Sequence, residues 1–192
     1  MTEINSGVRP RQSHIFPAEP GEHYVEPAWV SRRLFDVEPF VGHVIDPCCG
    51  WGTIVISALA HGHVAAGSDI TCRGWDSTAT PRDFLTSHHM HDNVVTNPPY
   101  DRLEDFTIQA VLRSRRKAAV LFPLARMPAA HYLERLPLAR VWQLTPRPSM
   151  PPGSYLTAGN KAQGGRVDFA WLVFEHGHAV APTMHWLHRD SK

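Results

Sequence analysis

Short apolar segments that each end in a polar turn constrain this chain more than any other feature. Three of them lie in its first half, at residues 41–46, 64–69 and 94–96. Helical patterns at 53–61 and 103–116 alternate with these segments. Continuous apolar runs separated by helices are typical of a parallel sheet that is covered on both faces. The sequence therefore predicts an α/β fold with doubly wound topology.

The rest of the chain extends this pattern. Further strands are predicted at 118–124 and 141–144, and an amphipathic helix follows Pro27. The last strand, at 167–174, follows a glycine-rich loop with no helix before it, so we expect it to be antiparallel. No internal repeat interrupts the chain. We expect a single catalytic domain between two flanking segments; the domain covers residues 22–178, a flexible arm residues 1–21 and a C-terminal tail residues 179–192.

Composition excludes several classes of protein. The chain has 192 residues, a net charge of +1 and 19% charged residues. This balance excludes a nucleic-acid binder driven by basic tails and a polyanionic solvating protein. No apolar run approaches the roughly 20 residues of a membrane span, and the N-terminus lacks the features of a signal peptide. Three cysteines, two of them adjacent, suit a reducing compartment. We therefore expect a cytoplasmic protein without a membrane partner.

A glycine turn follows the first predicted strand, where Asp46 leads into Pro-Cys-Cys-Gly-Trp-Gly-Thr. Gly50 and Gly52 let the backbone pass close to a ligand, and the following helix offers unpaired N–H groups. The third glycine of a dinucleotide fingerprint would fall at Val55, which disfavours a pyrophosphate site. Taken alone, the turn fits a ligand site or an ordinary strand-to-helix connection. Asp69 ends the next strand, where a carboxylate can accept both hydroxyls of a ribose.

The tetrapeptide Asn97-Pro98-Pro99-Tyr100 directly follows the third strand. Its two prolines remove two backbone donors, so the turn presents carbonyl oxygens. Asn97 adds a side-chain carbonyl, and Tyr100 adds a flat face for stacking. Two acceptors beside a ring suit a planar group that carries an NH₂, because accepting both amine protons frees the nitrogen lone pair for attack. The alternative is a rigid Pro-Pro loop with a buried tyrosine.

Together these segments resemble the class I S-adenosylmethionine-dependent methyltransferases, specifically the amino-methyltransferases that modify DNA adenine at N6. The resemblance extends from about residue 22 to about residue 175. It implies a Rossmann-like, seven-stranded, mostly parallel sheet with helices on both faces and one antiparallel C-terminal strand. It further implies that S-adenosylmethionine is the cofactor, that no metal is needed, and that Asn97 and Pro98 orient the amine. Pro99 completes that turn, and Tyr100 stacks on a flipped-out base.

The resemblance also implies which residues hold the cofactor. The segment that begins at Tyr24 would close over the methionine end, the glycine turn would form the cofactor loop, and Asp69 would hold the ribose. Asp83 and Phe84 would contact the adenine, although Arg82 stands where that family has a small residue. The full set is Tyr24, Glu26, Pro27, Asp46, Pro47, Cys48, Gly50, Gly52, Thr53, Asp69, Asp83 and Phe84.

The substrate stays open at this level. DNA adenine N6 is our first expectation, so nucleic acid is the expected partner. The same tetrapeptide also serves enzymes that methylate guanine N2 or adenine N6 in RNA, or a glutamine amide in protein. A non-catalytic binding subunit with the methyltransferase fold is a further alternative, although intact motifs argue against it. Because the chain leaves no room for a recognition domain, we expect short sequence specificity or help from a homodimer or partner subunit.

Other polar segments carry weaker signals. None of the thirteen histidines shows paired metal-ligand spacing with another histidine or a cysteine, so we expect solvated histidines and no metal. The basic run at 113–117 is predicted to close a helix, where it pairs with the helix dipole or contacts phosphates. The loop at 149–165 is either a disordered linker or a substrate-recognition element.

Overall fold

A central β-sheet flanked by helices organises the computed structural model, which describes residues 23–75 and 81–190. The predicted arm at 1–21 lies outside these residues. The strands are β1 (Val44–Asp46), β2 (Ala65–Gly67), β3 (His91–Thr96), β4 (Ser114–Pro123), β5 (Leu138–Thr145), β6 (Phe169–Glu175) and β7 (Thr183–His188). The helices are α1 (Ala28–Val37), α2 (Thr53–Ala60), α3 (Leu103–Arg113) and α4 (Gly153–Thr157). No helix in the described parts of the chain has the length and apolar character to cross a membrane.

The seven strands pair in the order β2-β1-β3-β4-β6-β5-β7. All of them run in one direction except β6, which is antiparallel to both β4 and β5. This arrangement confirms the prediction of a Rossmann-like, mostly parallel sheet with one antiparallel strand. The antiparallel strand is not the last one, however, because the chain continues into β7, which pairs in parallel with β5.

The strand order changes direction between β1 and β3. From β1 the chain crosses through α2 to β2 on one side, and from β3 it crosses through α3 to β4 on the other. Since such crossovers are right-handed, the two helices cover opposite faces of the sheet. A doubly wound sheet opens a crevice at this reversal, beyond the carboxyl ends of the strands. The topology therefore places the glycine turn and Asn97 at the same crevice.

The core is centred on β4 and β6, whose apolar residues are completely or almost completely buried. Trp171 of β6 has no exposed surface, and its indole N–H donates to the Val30 carbonyl at 3.0 Å. This bond joins α1 to the middle of the sheet and satisfies the one polar atom of the ring. The long apolar runs that predicted these strands are thus the ones buried on both faces.

Two boundaries differ from the sequence expectation. The helix predicted to end at residue 116 ends at Arg113, and Ser114 already begins β4. Lys117 pairs with Glu175 in the β4–β6 register, so sheet pairing determines this boundary rather than helix propensity. The predicted tail contains β7, so the assignment of 179–192 to a tail is corrected. Its signal is weak because Met184 and Trp186 are exposed while only Leu187 is buried.

Candidate active site

A cleft lies at the carboxyl ends of β1, β2 and β3, where the three polar turns of the sequence meet. The space between its walls, counted out to open solvent, is about 650 Å³. Its lining residues are His23, Tyr24, Val25, Glu26, Pro47, Cys48, Cys49, Gly50, Trp51, Thr53, Asp69, Ile70, Arg73, Arg82, Asp83, Phe84, Asn97, Pro99 and Phe106. The cleft is therefore built from the crevice that the strand order opens.

The glycine turn connects β1 to α2 and forms the floor of the cleft. Gly52 occupies the N-cap of α2 in the left-handed region, with a φ of 82°. A Cβ at this position would lie 2.2 Å from the Trp75 ring, and one at Gly50 would lie 2.5 Å from His23 Nε2. Both glycines have a left-handed φ, 51° at Gly50 and 82° at Gly52, and both have a side chain close to the backbone, so glycine is favoured at each position.

Asp69 ties the turn after β2 to the glycine turn. Its Oδ2 accepts a hydrogen bond from the Gly50 N–H at 2.9 Å, and its Oδ1 accepts one from the Thr71 N–H at 3.0 Å. The guanidinium of Arg73 lies 3.8 Å from the same carboxylate. Asp69 is 6% exposed and borders the cleft. Its carboxylate is therefore held in place and remains at the surface of the site.

Asp46 lies beneath the cleft instead of lining it. Its Oδ1 accepts hydrogen bonds from the Thr96 hydroxyl at 2.8 Å and from the Cys48 N–H at 3.1 Å. Burial, together with the nearby charges of Glu26 and Asp69, raises the pKa of the Asp46 carboxyl well above its ordinary value. Asp46 thus joins β1, β3 and the glycine turn, and its negative charge is costly without a cation nearby.

The side chain of Asn97 is held by three hydrogen bonds. Its Nδ2 donates to Glu26 Oε2 at 2.9 Å and to the Tyr24 carbonyl at 3.1 Å. Its Oδ1 accepts from the Tyr100 hydroxyl at 2.9 Å. The amide nitrogen faces two acceptors and the amide oxygen faces a donor, so this orientation satisfies every partner. Since a carbonyl oxygen accepts two hydrogen bonds, Oδ1 keeps acceptor capacity beside the cleft.

Tyr100 lies deeper than the sequence suggested. The residue is only 5% exposed, and its ring packs almost parallel to the Tyr24 ring with centroids 5.8 Å apart. Phe169 packs against it at the same centroid distance. The tyrosine that lines the cleft is therefore Tyr24, and in this conformation the stacking face expected of Tyr100 is covered by its neighbours.

Glu26 contributes a second buried carboxylate to this part of the site. It is 7% exposed, and burial raises its pKa to about 7, against an opposing effect from the Asn97 hydrogen bond. Glu26 and Asp46 thus lie in a weakly solvated region where both carry unfavourable charge. Such a region favours a positively charged ligand, because a cation compensates the desolvation of the carboxylates.

The opposite end of the cleft combines an aromatic surface with a polar rim. Phe84 is buried and packs against Phe106 with ring centroids 6.3 Å apart and planes 24° apart. Asp83 is exposed, and its carboxylate accepts a hydrogen bond from the Leu85 N–H at 2.9 Å. Ile70 also borders this end of the cleft. The cleft therefore offers apolar surface and an acid at one end and buried carboxylates at the other.

The segment before α1 is attached to the predicted recognition loop. The Val25 N–H donates to the Pro151 carbonyl at 2.9 Å, and the Gly153 N–H donates to the His23 carbonyl at 2.9 Å. Part of this loop is helical, because α4 occupies Gly153–Thr157. The loop is thus helical at α4 and is bonded to the segment that carries Tyr24.

Most of the predicted site residues line the cleft, and five do not. Asp46, Gly52, Pro98 and Tyr100 lie behind its surface, and Pro27 forms the N-cap of α1. The sequence analysis missed a further group that includes His23, Trp51, Arg73 and Phe106. Only Trp51, which lies inside the glycine turn, carried a positional signal; the others belong to loops or to the side of α3.

The remaining polar segments lie apart from the cleft. Among residues 23–75 and 81–190, no three histidine, cysteine, aspartate or glutamate side chains are grouped as a metal site requires. The basic run at 113–117 leads into the amino-terminal end of β4, whereas the cleft lies at the carboxyl ends of the strands. Its expected place at a helix end is therefore wrong from Ser114 onward. Arg126 is closer to the site, since its guanidinium donates to the Tyr100 carbonyl.

Comparison with known proteins finds similarity in structure only. No protein-family model matches the chain, and no curated protein matches it in sequence. A protein from Pyrococcus horikoshii described as a candidate RNA methyltransferase is 16% identical, with a TM-score of 0.54 over 77% of this chain and 80% of that one. At this identity, the similarity is one of fold.

Two further structures extend the comparison. The type I restriction-modification methyltransferase subunit from Streptococcus thermophilus is 11% identical, with a TM-score of 0.56 over 83% of this chain but only 46% of that one. Magnesium protoporphyrin IX methyltransferase from Synechocystis, solved with bound S-adenosylmethionine, is 15% identical, with a TM-score of 0.50 over 76% of each chain. The chain thus has the fold of these methyltransferases and spans less than half of the restriction-modification subunit.

Proposed function

We propose that this protein transfers a methyl group from S-adenosylmethionine to an exocyclic amino group, with adenine N6 in DNA as the substrate. The observation that carries the proposal is the fixed amide of Asn97. Its oxygen keeps acceptor capacity beside a cleft whose floor is a glycine turn and whose wall carries Asp69. That combination suits a planar amine held next to a nucleoside-containing cofactor.

The residues that line the cleft suit S-adenosylmethionine in their chemistry and charge. Asp69 would hold the ribose hydroxyls, and Phe84, with Asp83 nearby, would contact the adenine. The glycine turn would lie against the methionine part, because Pro47, Cys48, Gly50 and Thr53 of this turn line the cleft. The cofactor carries positive charge on its sulfonium and its amino group, and the buried carboxylates of Glu26 and Asp46 provide the complement. When bound, S-adenosylmethionine supplies an electrophilic methyl group.

The tetrapeptide would position the nucleophile. Asn97 Oδ1 and the Pro98 carbonyl would accept the two amine protons, so that the nitrogen becomes more tetrahedral and its lone pair points away from the ring. Pro98 and Pro99 hold this turn in one conformation because both φ angles are fixed. Most of the rate acceleration would come from this positioning and from exclusion of water. Such a mechanism requires no metal ligand from the chain.

Two of the three compared structures favour nucleic acid as the substrate class, whereas the third is a porphyrin methyltransferase. One is a subunit of a restriction-modification system and another is described as a candidate RNA methyltransferase. In duplex DNA the target base would be flipped out to reach Asn97. The ring that meets the base first would be Tyr24, and Tyr100 would become available only if the Tyr24 segment moves. A homodimer or a partner subunit would extend the surface that recognises the substrate.

Transfer of isotope-labelled methyl groups to unmethylated DNA, to RNA and to cell protein tests the proposal. We expect label in DNA as N6-methyladenine, and at least a hundredfold less with Asn97→Ala, because that variant removes an oriented acceptor in the transition state (about 2.7–4 kcal/mol for comparable donors). Retained binding of S-adenosylhomocysteine by the variant would show that its cleft is intact.

The three pools give distinct outcomes. Label in RNA or protein alone would contradict the DNA assignment while supporting amine methylation. Absence of label from every pool, with the cofactor bound, would favour a binding subunit with a methyltransferase fold.

A further inference from the structure

We propose that Glu26 is a positioning residue that strengthens Asn97 as an acceptor for the target amine. Its carboxylate binds the Asn97 amide N–H, which fixes the amide and increases the negative charge on Oδ1. This inference rests on the proposed function, because it assigns the residue that tunes the amine-binding group. The tetrapeptide itself does not contain this residue, which lies on the segment before α1.

The first argument is the geometry of the amide. Both N–H groups of Asn97 are used, one by a carboxylate oxygen of Glu26 at 2.9 Å and one by the Tyr24 carbonyl at 3.1 Å. The Tyr24 carbonyl can only accept, as can Glu26 when it is ionised, so these partners favour the amide nitrogen on this side over the oxygen. The segment that carries these two acceptors is itself bonded to Pro151 and Gly153. Asn97 is thus oriented from outside its own turn.

The second argument is polarisation. When the N–H of an amide donates a hydrogen bond, electron density in the amide shifts toward its oxygen. A charged acceptor has a larger effect than a neutral one, and the effect grows where water is excluded. Glu26 is 7% exposed, so little solvent screens its charge. Asn97 Oδ1 therefore becomes a better acceptor when Glu26 is ionised than when it is protonated.

The charged groups around Glu26 define when it is ionised. Asp46 on β1 is a neighbouring carboxylate, and the charge of Glu26 is one of the causes that raise the Asp46 pKa. The other ionisable groups that border the same cleft are His23, Tyr24, Cys48, Cys49, Asp69, Arg73, Arg82 and Asp83. Burial places the Glu26 pKa near 7. Glu26 gains its charge as pH rises, and a bound cationic cofactor favours the charged form, so the transfer rate should rise up to about pH 7 at the highest and then reach a plateau.

Glutamine at position 26 separates orientation from charge. The Gln oxygen can still accept from Asn97 Nδ2, and the Tyr24 carbonyl remains, so the amide keeps its orientation. The charge and its titration are lost. For Glu26→Gln we expect a kcat about five- to tenfold lower on the plateau, as for a charge-assisted bond replaced by a neutral one. We also expect an unchanged KM for DNA and no rise in rate near pH 7.

Two controls complete the kinetic experiment. Glu26→Ala should lose more activity than Glu26→Gln, because it removes both the charge and the acceptor. Glu134→Gln is the matched control, since Glu134 is exposed, does not line the cleft, and has its carboxylate 3.5 Å from His131 Nδ1. It should leave the pH profile unchanged. Wild-type kcat and pH profile in Glu26→Gln would overturn the inference, even if Asn97→Ala abolishes transfer.

Nuclear magnetic resonance supplies a readout that does not depend on activity. The side-chain amide signal of Asn97 is identified by its loss in Asn97→Ala. In the wild-type protein it should shift with a midpoint near pH 7, and in Glu26→Gln it should not shift in that range. A shift that persists in Glu26→Gln would assign the titration to Asp46 and contradict the inference. If the amide titrates as expected but no methyl transfer occurs, the contact stands and the proposed function fails.

Discussion

Gly52 has less room for a side chain than Gly50, the other glycine of the same turn. Its φ of 82° is unfavourable for a residue with a side chain, and a Cβ there would lie 2.2 Å from the Trp75 ring. Gly62, just past the other end of α2, has a similar φ of 79° but no atom within 4 Å of an added Cβ. An alanine at position 62 would thus meet backbone strain alone, whereas an alanine at position 52 would meet strain and a steric clash.

Alanine substitutions at these two glycines test the close approach. Gly62→Ala should lower the free energy of unfolding by about 1–2 kcal/mol through strain alone. Gly52→Ala should lower it by more and should also weaken binding of S-adenosylhomocysteine, because the Trp75 ring must move. Urea unfolding and calorimetric titration measure the two effects. Equal losses of stability with equal binding would show that the turn has room for a side chain.

At the residue scale, the sequence was better at predicting which residues line the cleft than at predicting what those residues contact. The tetrapeptide 97–100 was identifiable because two prolines and an asparagine after a strand imply exposed carbonyls. That Tyr100 is buried and bonds to Asn97 depends on Tyr24 and Phe169, which lie far away in sequence. His23 and Arg73 had no pattern that placed them at the cleft. Such contacts arise from tertiary packing and leave no local signal.

At the scale of secondary-structure elements, one buried ionic cluster connects α1 to the sheet. Glu38 follows α1 and is 2% exposed. Its carboxylate accepts hydrogen bonds from Lys117 of β4 at 3.2 Å, from the Arg140 guanidinium of β5, and from the Trp142 indole at 2.8 Å. Arg140 also reaches Glu175 of β6 at 2.5 Å. This cluster lies near the amino ends of the parallel strands β4 and β5, whereas the cleft lies at the carboxyl ends.

Removal of Glu38 should therefore destabilise the fold without a direct effect on the site. Glu38→Ala leaves two cations with reduced compensation in a buried region, which costs about 3–5 kcal/mol. The matched substitution Glu134→Ala removes an exposed carboxylate and should cost less than about 1 kcal/mol. Urea unfolding of both variants measures the difference. Similar midpoints would mean that the cluster adds nothing beyond what exposed charges add.

The element boundaries show where sequence periodicity fails. The end of α3 was predicted too late because 114–116 continues a polar, helix-compatible pattern, whereas Ser114 pairs with His91 across the sheet. β7 was missed because an edge strand with one buried residue, Leu187, resembles a polar tail. The buried strands β4 and β6 were predicted well, since burial on both faces requires long apolar runs. Strand pairing, a nonlocal property, decided the rest.

At the scale of the whole molecule, the two ends of the parallel strands have different roles. The ionic cluster near their amino ends connects α1 to the central strands, and the cleft at their carboxyl ends is formed by the turns after β1, β2 and β3. The segment at 23–26 lines one side of that cleft and is bonded to the loop at 151–153. The catalytic chemistry that we propose needs this segment in place, because Glu26 and Tyr24 accept the hydrogen bonds that orient Asn97.

Calorimetric titration with S-adenosylhomocysteine tests the central claim, that this cleft holds the methyl donor, most directly. The account predicts saturable binding with one site per chain, weakened by Gly52→Ala and by Asp69→Ala, and unchanged by Glu134→Gln. Asp69→Ala should weaken binding because this carboxylate borders the cleft and also holds the Gly50 N–H of the glycine turn. Folded wild-type protein that neither releases heat nor gains thermal stability at saturating ligand would contradict the account.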